Sequence, residues 1–150
     1  MNTIKEQLMS ICQQQVDDKI LSLKKTLNSI TESRNNETKS SVGDKYETGR
    51  SMMQMEEERI NRQLAEVYLM QKDLQQISFS EKSEVVKMGS LVTTSNGQYF
   101  LSVGLGKIKI GGQNYYCISN KSPIGQLLLG KTEGESFQFN NRNMTIEKVF

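Results

Sequence analysis

Apolar side chains recur along the first half of the chain at the spacing of one helix face. Ile4, Leu8 and Ile11 open the pattern, and after a one-residue change of phase at Cys12 it continues through Val16, Ile20, Leu23, Leu27 and Ile30. Alternating steps of four and three are the signature of a coiled-coil seam. The polar segment 33–43, Ser-Arg-Asn-Asn-Glu-Thr-Lys-Ser-Ser-Val-Gly, halts the pattern with turn formers. A second helix is predicted from about Asp44 to Ser78, with a seam of Met53, Ile60, Leu64, Val67 and Leu74; Glu57 and Gln71 stand at two positions where an apolar residue is expected. Two helices of similar length around a short polar break predict an antiparallel hairpin within one chain, its tip between residues 34 and 47. At ~1.5 Å per residue, thirty residues of helix reach ~45 Å.

The second half alternates in short runs instead. Strands are predicted at 85–86 and 90–94, then after a turn at Ser95-Asn96-Gly97 at 98–103, and further at 107–110 and 115–119. Ser122-Pro123 opens a short helix from Ile124 to Leu129, because Ser suits the N-cap and Pro the first helical position, and Gly130 stops it. Leu127, Leu128 and Leu129 cannot all face inward on such a helix. Strands at 136–139 and 144–149, joined by a turn at 140–143, end the chain. The expected fold class is α+β, with an N-terminal antiparallel coiled-coil hairpin over residues 1–78 and a small antiparallel β-sheet domain with one short helix over residues 79–150. Glycine usage agrees, since nine of the eleven glycines lie between residues 89 and 134.

Composition narrows the chemistry. The 150 residues include no His and no Trp, which excludes catalytic triads and metal sites built on imidazole. Two cysteines, Cys12 and Cys117, lack a CxxC spacing and read as unpaired thiols. The polar N-terminus and the lack of an ~18-residue apolar run predict a soluble cytoplasmic protein without membrane contact. A net charge of +2 is too small for autonomous nucleic-acid binding. Any role in nucleic-acid chemistry is expected to run through a protein partner.

Candidate chemistry begins at Gly43-Asp44-Lys45-Tyr46-Glu47. Two carboxylates three apart share a helix face and form part of a site for a hard cation such as Mg²⁺, which takes few protein oxygens and keeps several waters. The same Asp-x-x-Glu pattern also suits an N-cap with its capping-box partner, so both readings stand. Met52, Met53 and Met55 suit either an adaptable contact surface or gap filling at the seam. Glu56-Glu57-Glu58 with Arg59 and Arg62 reads as a solvated face, Glu58 pairing with Arg62. Gly104, Gly106, Gly111 and Gly112 lack the spacing of a phosphate loop and read as hairpin turns or bulges.

The hairpin with Gly-Asp-x-x-Glu at its tip, the run Val85-Val86-Lys87-Met88-Gly89-Ser90-Leu91-Val92, and the block Ser122-Pro123-Ile124-Gly125-Gln126-Leu127-Leu128-Leu129-Gly130-Lys131 together resemble the bacterial transcript-cleavage (Gre) factors of RNA polymerase. That resemblance implies a coiled coil that enters the polymerase secondary channel and an FKBP-like second domain that docks at its entrance, through Ser122, Pro123, Gln126 and Lys131. It implies that Asp44 and Glu47 help hold a Mg²⁺ shared with the polymerase beside the backtracked RNA. The factor would then be a monomer and no enzyme itself, stimulating the polymerase's own cleavage. Family members usually follow the tip Glu with Asn-Ala-Glu-Tyr, whereas this chain has Thr48-Gly49-Arg50-Ser51. Occupation of the channel without cleavage is therefore the alternative. Two readings of other classes are a prolyl isomerase, against which the absent aromatic floor Trp counts, and a generic dimerising coiled coil.

Overall fold

The computed structural model describes residues 3–37, 43–79 and 82–150. Its elements run α1 (Thr3–Glu37), α2 (Gly43–Gln76), β1 (Leu91–Thr94), β2 (Gly97–Ser102), β3 (Gly106–Ile110), β4 (Gln113–Ser119), α3 (Pro123–Leu128), β5 (Ser136–Phe139) and β6 (Arg142–Val149). They gather into two compact units, one of residues 14–71 and one formed by the chain up to Gln13 together with Lys72–Phe150.

In the helical unit α1 and α2 pair antiparallel. Arg34 on α1 reaches Glu57 on α2, while Asp17, a long way back along α1, meets Gln71 near the end of α2. Neither Gly nor Pro interrupts α1, and its seam residues Val16 and Ile20 are buried opposite a seam of Ile60, Leu64 and Val67. Leu23, Leu27, Ile30 and Met53 are half-buried as the stripe approaches the joined end. The connection itself lies in residues 38–42, outside the described residues.

The two polar seam positions find partners. Arg34 Nη1 donates to Glu57 Oε2 at 3.0 Å, and Gln71 Nε2 donates to Asp17 Oδ1 at 3.4 Å. The first satisfies a carboxylate that would otherwise lose water against an apolar stripe and is met only when the helices sit in register, whereas the second is exposed to solvent. The remaining oxygen of Glu57, Oε1, is buried without a partner. On the outer face the ion pair forms between Glu56 and Arg59, not between Glu58 and Arg62 as the spacing suggested. The shorter i, i+3 step is equally open on a helix surface.

The other unit is built on a six-stranded sheet in the order β3-β4-β2-β1-β6-β5. Hairpins join β1 to β2, β3 to β4 and β5 to β6, all antiparallel. The sheet is nevertheless mixed, because β2 and β4 run parallel, Phe100 opposite Cys117 and Leu101 opposite Ile118. The chain leaves β2, forms the edge strand β3, and returns between them. Two hairpins close on two-residue loops with both residues at positive φ, Gly111-Gly112 and Asn140-Asn141. That conformation matches the twist of the flanking strands and favours glycine and asparagine. Gly111 and Gly112 are therefore turn residues, whereas Gly106 opens β3 opposite Cys117.

Alternation along the strands separates two buried faces. One holds Val92, Leu101, Met144 and Ile146, covered by Ile124 and Leu128 of α3. On the other, Phe100 meets Phe79 with ring centroids 6.4 Å apart, Lys5 of α1 stands 4.5 Å from the Phe79 ring, and Cys12 of α1 reaches Cys117. The first turns of α1 thus cover the second face. Leu8 and Cys12 are fully buried there, so Cys12 occupies a core position of its own where the sequence pattern suggested only a change of phase.

Removing each member of the Arg34–Glu57 pair should separate register from stability. Glu57→Leu restores an apolar seam and should leave unfolding free energy unchanged or raised by up to ~1 kcal/mol, whereas Arg34→Leu strands a half-buried carboxylate and should cost ~1–2 kcal/mol. Urea unfolding followed by circular dichroism measures both; equal losses would show that the pair acts as an ordinary surface contact.

Candidate functional site

Two regions carry the predicted site residues. The first is the joined end of the helical pair. Gly43 is the first residue of α2, so the backbone places Asp44 and Glu47 three positions apart in its opening turn, where a negative charge is favoured by the helix dipole. Their side chains lie outside the described residues. Among the described residues no group of three Cys, Asp or Glu side chains is placed to hold a metal ion.

Just beyond this turn a groove of about 590 Å³ is lined by Thr26, Ser29, Ile30 and Ser33 of α1 and by Gly49, Met52, Met53 and Glu56 of α2. Met53 belongs to the seam and is half-buried, whereas Met52 and Met55 are 66% and 68% exposed. The methionine cluster therefore divides, one residue filling the stripe and two lying on the surface. Arg59 donates to Glu56, and this hydrogen bond holds the Glu56 carboxyl below its ordinary range and raises the Arg59 guanidinium.

The second region is the turn from β4 into α3. Ser122 stands in extended backbone at the N-cap, and its hydroxyl accepts from Gly125 N at 3.1 Å. The same hydroxyl donates to Ser119 O at 2.7 Å. Pro123 follows at the first helical position, where a missing N–H costs nothing. A Cβ on Gly125 would overlap the Ser119 carbonyl oxygen, so α3 approaches the end of β4 as closely as it does only because residue 125 is glycine. After α3, Gly130 adopts φ 84°, its N–H donates to Val86 O at 2.9 Å, and Val86 N donates to Lys131 O at 2.8 Å.

These bonds sort the four predicted docking residues. Ser122 spends its hydroxyl on the cap and Pro123 shapes the helix start, while Gln126 is exposed and donates to Lys121 O at 3.2 Å. Lys131 is half-buried, its ammonium 5.5 Å from the Phe137 ring. Of the three leucines Leu128 is fully buried and Leu129 is 45% exposed, as the helical period requires. Pro123, Gln126 and Leu129 are exposed on this face.

Sequence reasoning missed two constellations. Arg34 was not singled out, although Glu57 at an apolar seam position signalled that some cation must face it. The approach of Cys12 to Cys117, with sulfurs 3.6 Å apart and both thiols free, left no local signal, because 105 positions separate them.

No family model matches the chain, and no curated protein does. Among solved structures it is similar to the chain described as "Structure of the transcription factor Gfh1", with 18% identity over 91% of this chain and 92% of that chain, at a TM-score of 0.36. No helix among the described residues is long and apolar enough to cross a membrane.

The cap and the close approach should be separable by mutation. Ser122→Ala removes one cap and should cost ~1 kcal/mol. Gly125→Ala forces α3 away from β4 and should cost more, ~2–3 kcal/mol, with loss of amide protection in α3. Hydrogen exchange on the two variants measures this; an unchanged Gly125→Ala variant would show that α3 has room to move.

Proposed function

We propose that this protein is an RNA polymerase-binding transcription elongation factor of the Gre type. Its helical pair would enter the secondary channel, and its tip acids would stimulate the polymerase's own Mg²⁺-dependent cleavage of backtracked RNA. The observation that carries the reading is the antiparallel pairing of two separate helices of 35 and 34 residues, with Asp44 and Glu47 in the turn where α2 begins. Helices of that length extend ~50 Å, and a narrow polar rod with acids at one end suits delivery of carboxylates into a channel better than it suits a pocket of its own.

Two carboxylates fit Mg²⁺ as a partial ligand set, since this ion is commonly held by one or two carboxylates with other oxygens supplied from elsewhere. When bound it would activate water and neutralise charge developing on the phosphate. The part played by this chain is narrower. Asp44 and Glu47 would add negative charge and oxygen ligands at the end of the paired helices. Gln126, Leu129 and Lys131 supply a docking surface of mixed character. The segment Thr48-Gly49-Arg50-Ser51, which departs from the usual family continuation, favours a second reading in which the hairpin occupies the channel without stimulating cleavage.

A stalled, backtracked polymerase complex incubated with the protein and Mg²⁺ tests the proposal directly. Shortened RNA is expected, and Asp44→Asn should reduce its rate more than tenfold, at least ~1.4 kcal/mol of transition-state stabilisation. Because Asn caps helices about as well as Asp, helicity and polymerase affinity should hold. Binding without shortened RNA would leave the non-cleaving reading; no binding would overturn both. Gln126→Glu should weaken polymerase binding severalfold with the melting temperature unchanged, and unaltered affinity would remove α3 from the docking face.

A further inference from the structure

We propose that Cys12 and Cys117 form a redox clip, a dithiol that closes to a disulfide and joins α1 to the centre of the sheet. The two sulfurs are 3.6 Å apart and both residues are buried. Cys117 lies on β4, held between β2 and β3, opposite Phe100 on one side and Gly106 on the other. Cys12 lies on the second turn-pair of α1, flanked by the buried Leu8. One sulfur is therefore fixed by an interior strand and the other by a helix packed on it, so few conformations separate the thiol pair from a bond. Closing to ~2.05 Å asks for ~1.5 Å of relative movement, within the reach of small side-chain rotations.

The surroundings favour the chemistry. A thiolate, not a thiol, is the nucleophile. Contact with the Cys117 thiol draws Cys12 below the usual thiol range, while contact with Cys12 and burial push Cys117 up. Either sulfur can donate in the neutral pair, and once one proton is lost the remaining thiol donates to the thiolate. Ser102 on the neighbouring strand β2 adds a buried hydroxyl with no hydrogen-bond partner.

The oxidant is a hydroperoxide, small enough to reach a buried sulfur. The thiolate of the pair attacks one peroxide oxygen, the O–O bond breaks, and hydroxide leaves, giving a sulfenic acid. The other sulfur then attacks the sulfur of that sulfenic acid, its proton leaves, and the S–O bond breaks to release water. Two thiols and one hydrogen peroxide become one disulfide and two waters. A small dithiol reverses the step by exchange.

The full-length protein, fully reduced and freed of reductant, is treated with hydrogen peroxide, quenched with catalase, denatured and alkylated. The expected result is a monomer with no alkylatable thiol, a peptide map linking Cys12 to Cys117, and recovery of both thiols with dithiothreitol. The closed loop is long, so the melting temperature should rise by about 5 °C or more. Oxidation of the exposed Met52 and Met55 reports that the peroxide dose was effective. If those methionines oxidise while both cysteines remain alkylatable, or if sulfinic acids or intermolecular disulfides form instead, the clip is overturned. Cys12→Ser and Cys117→Ser should each abolish the thermal shift; wild-type mapping decides the matter even if either variant fails to fold.

Discussion

A stripe of apolar side chains one residue wide holds the helical pair together, and most of what the molecule can do follows from how narrow it is. Val16 and Ile20 on α1 and Ile60, Leu64 and Val67 on α2 are buried, while nearly every position around them is exposed. Each buried aliphatic side chain stabilises by ~1.5–3 kcal/mol relative to exposure, but a stripe of one repeating type leaves several registers close in energy. The seam's polar residues resolve this. Slipping the helices by one turn would leave the half-buried Glu57 carboxylate without Arg34, so the pairing penalises that slip. A half-buried charge costs stability, and its cost is offset here by a preferred register.

The sheet unit solves a different problem, that of covering both faces of a small sheet. Its α3 face is apolar throughout, Leu101, Met144 and Ile146 meeting Ile124 and Leu128. The opposite face is closed by α1 and is chemically mixed, with Phe100, Cys117 and Ser102 all buried. The edge strand β3 carries Lys107 and Lys109, both exposed. Charged side chains on an open edge discourage a second sheet from adding there.

What was legible in the sequence was local. The 4-3 steps, the turn pairs and the Ser-Pro helix start each depend on residues within one turn of one another, and those elements appear where their patterns lie, whereas the strand predicted at 85–86 is only an isolated bridge from Val85 to Thr132. The parallel pairing of β2 with β4 was not legible, because it is decided by where the chain goes after Ser102 rather than by any residue within either strand. Cys12 was misread for a related reason. In a helix-only view it breaks the phase of a seam between helices, but the first turns of α1 pack on a sheet, and a residue four positions from both Leu8 and Val16 is then the correct one to bury. The tip acids were legible as a pair by spacing alone, a pattern shared by helix capping and metal binding.

The block from Ser122 to Lys131 shows why a specific motif can speak more clearly about fold than about function. Ser119 O receives the Ser122 hydroxyl, the Ser122 oxygen receives Gly125 N, and the missing Cβ of Gly125 is what lets the Ser119 carbonyl lie there. Ser, Pro and Gly are thus consumed in one local geometry that any chain turning from a strand into this helix at this distance would need. The exposed residues are under no such requirement. Gln126 and Leu129 are exposed, Leu129 to 45%, and a fold alone would accept many side chains at either position. If the block serves recognition, the discriminating information must reside in those outward positions, and a relative sharing only Ser122, Pro123 and Gly125 would share the turn without sharing the partner.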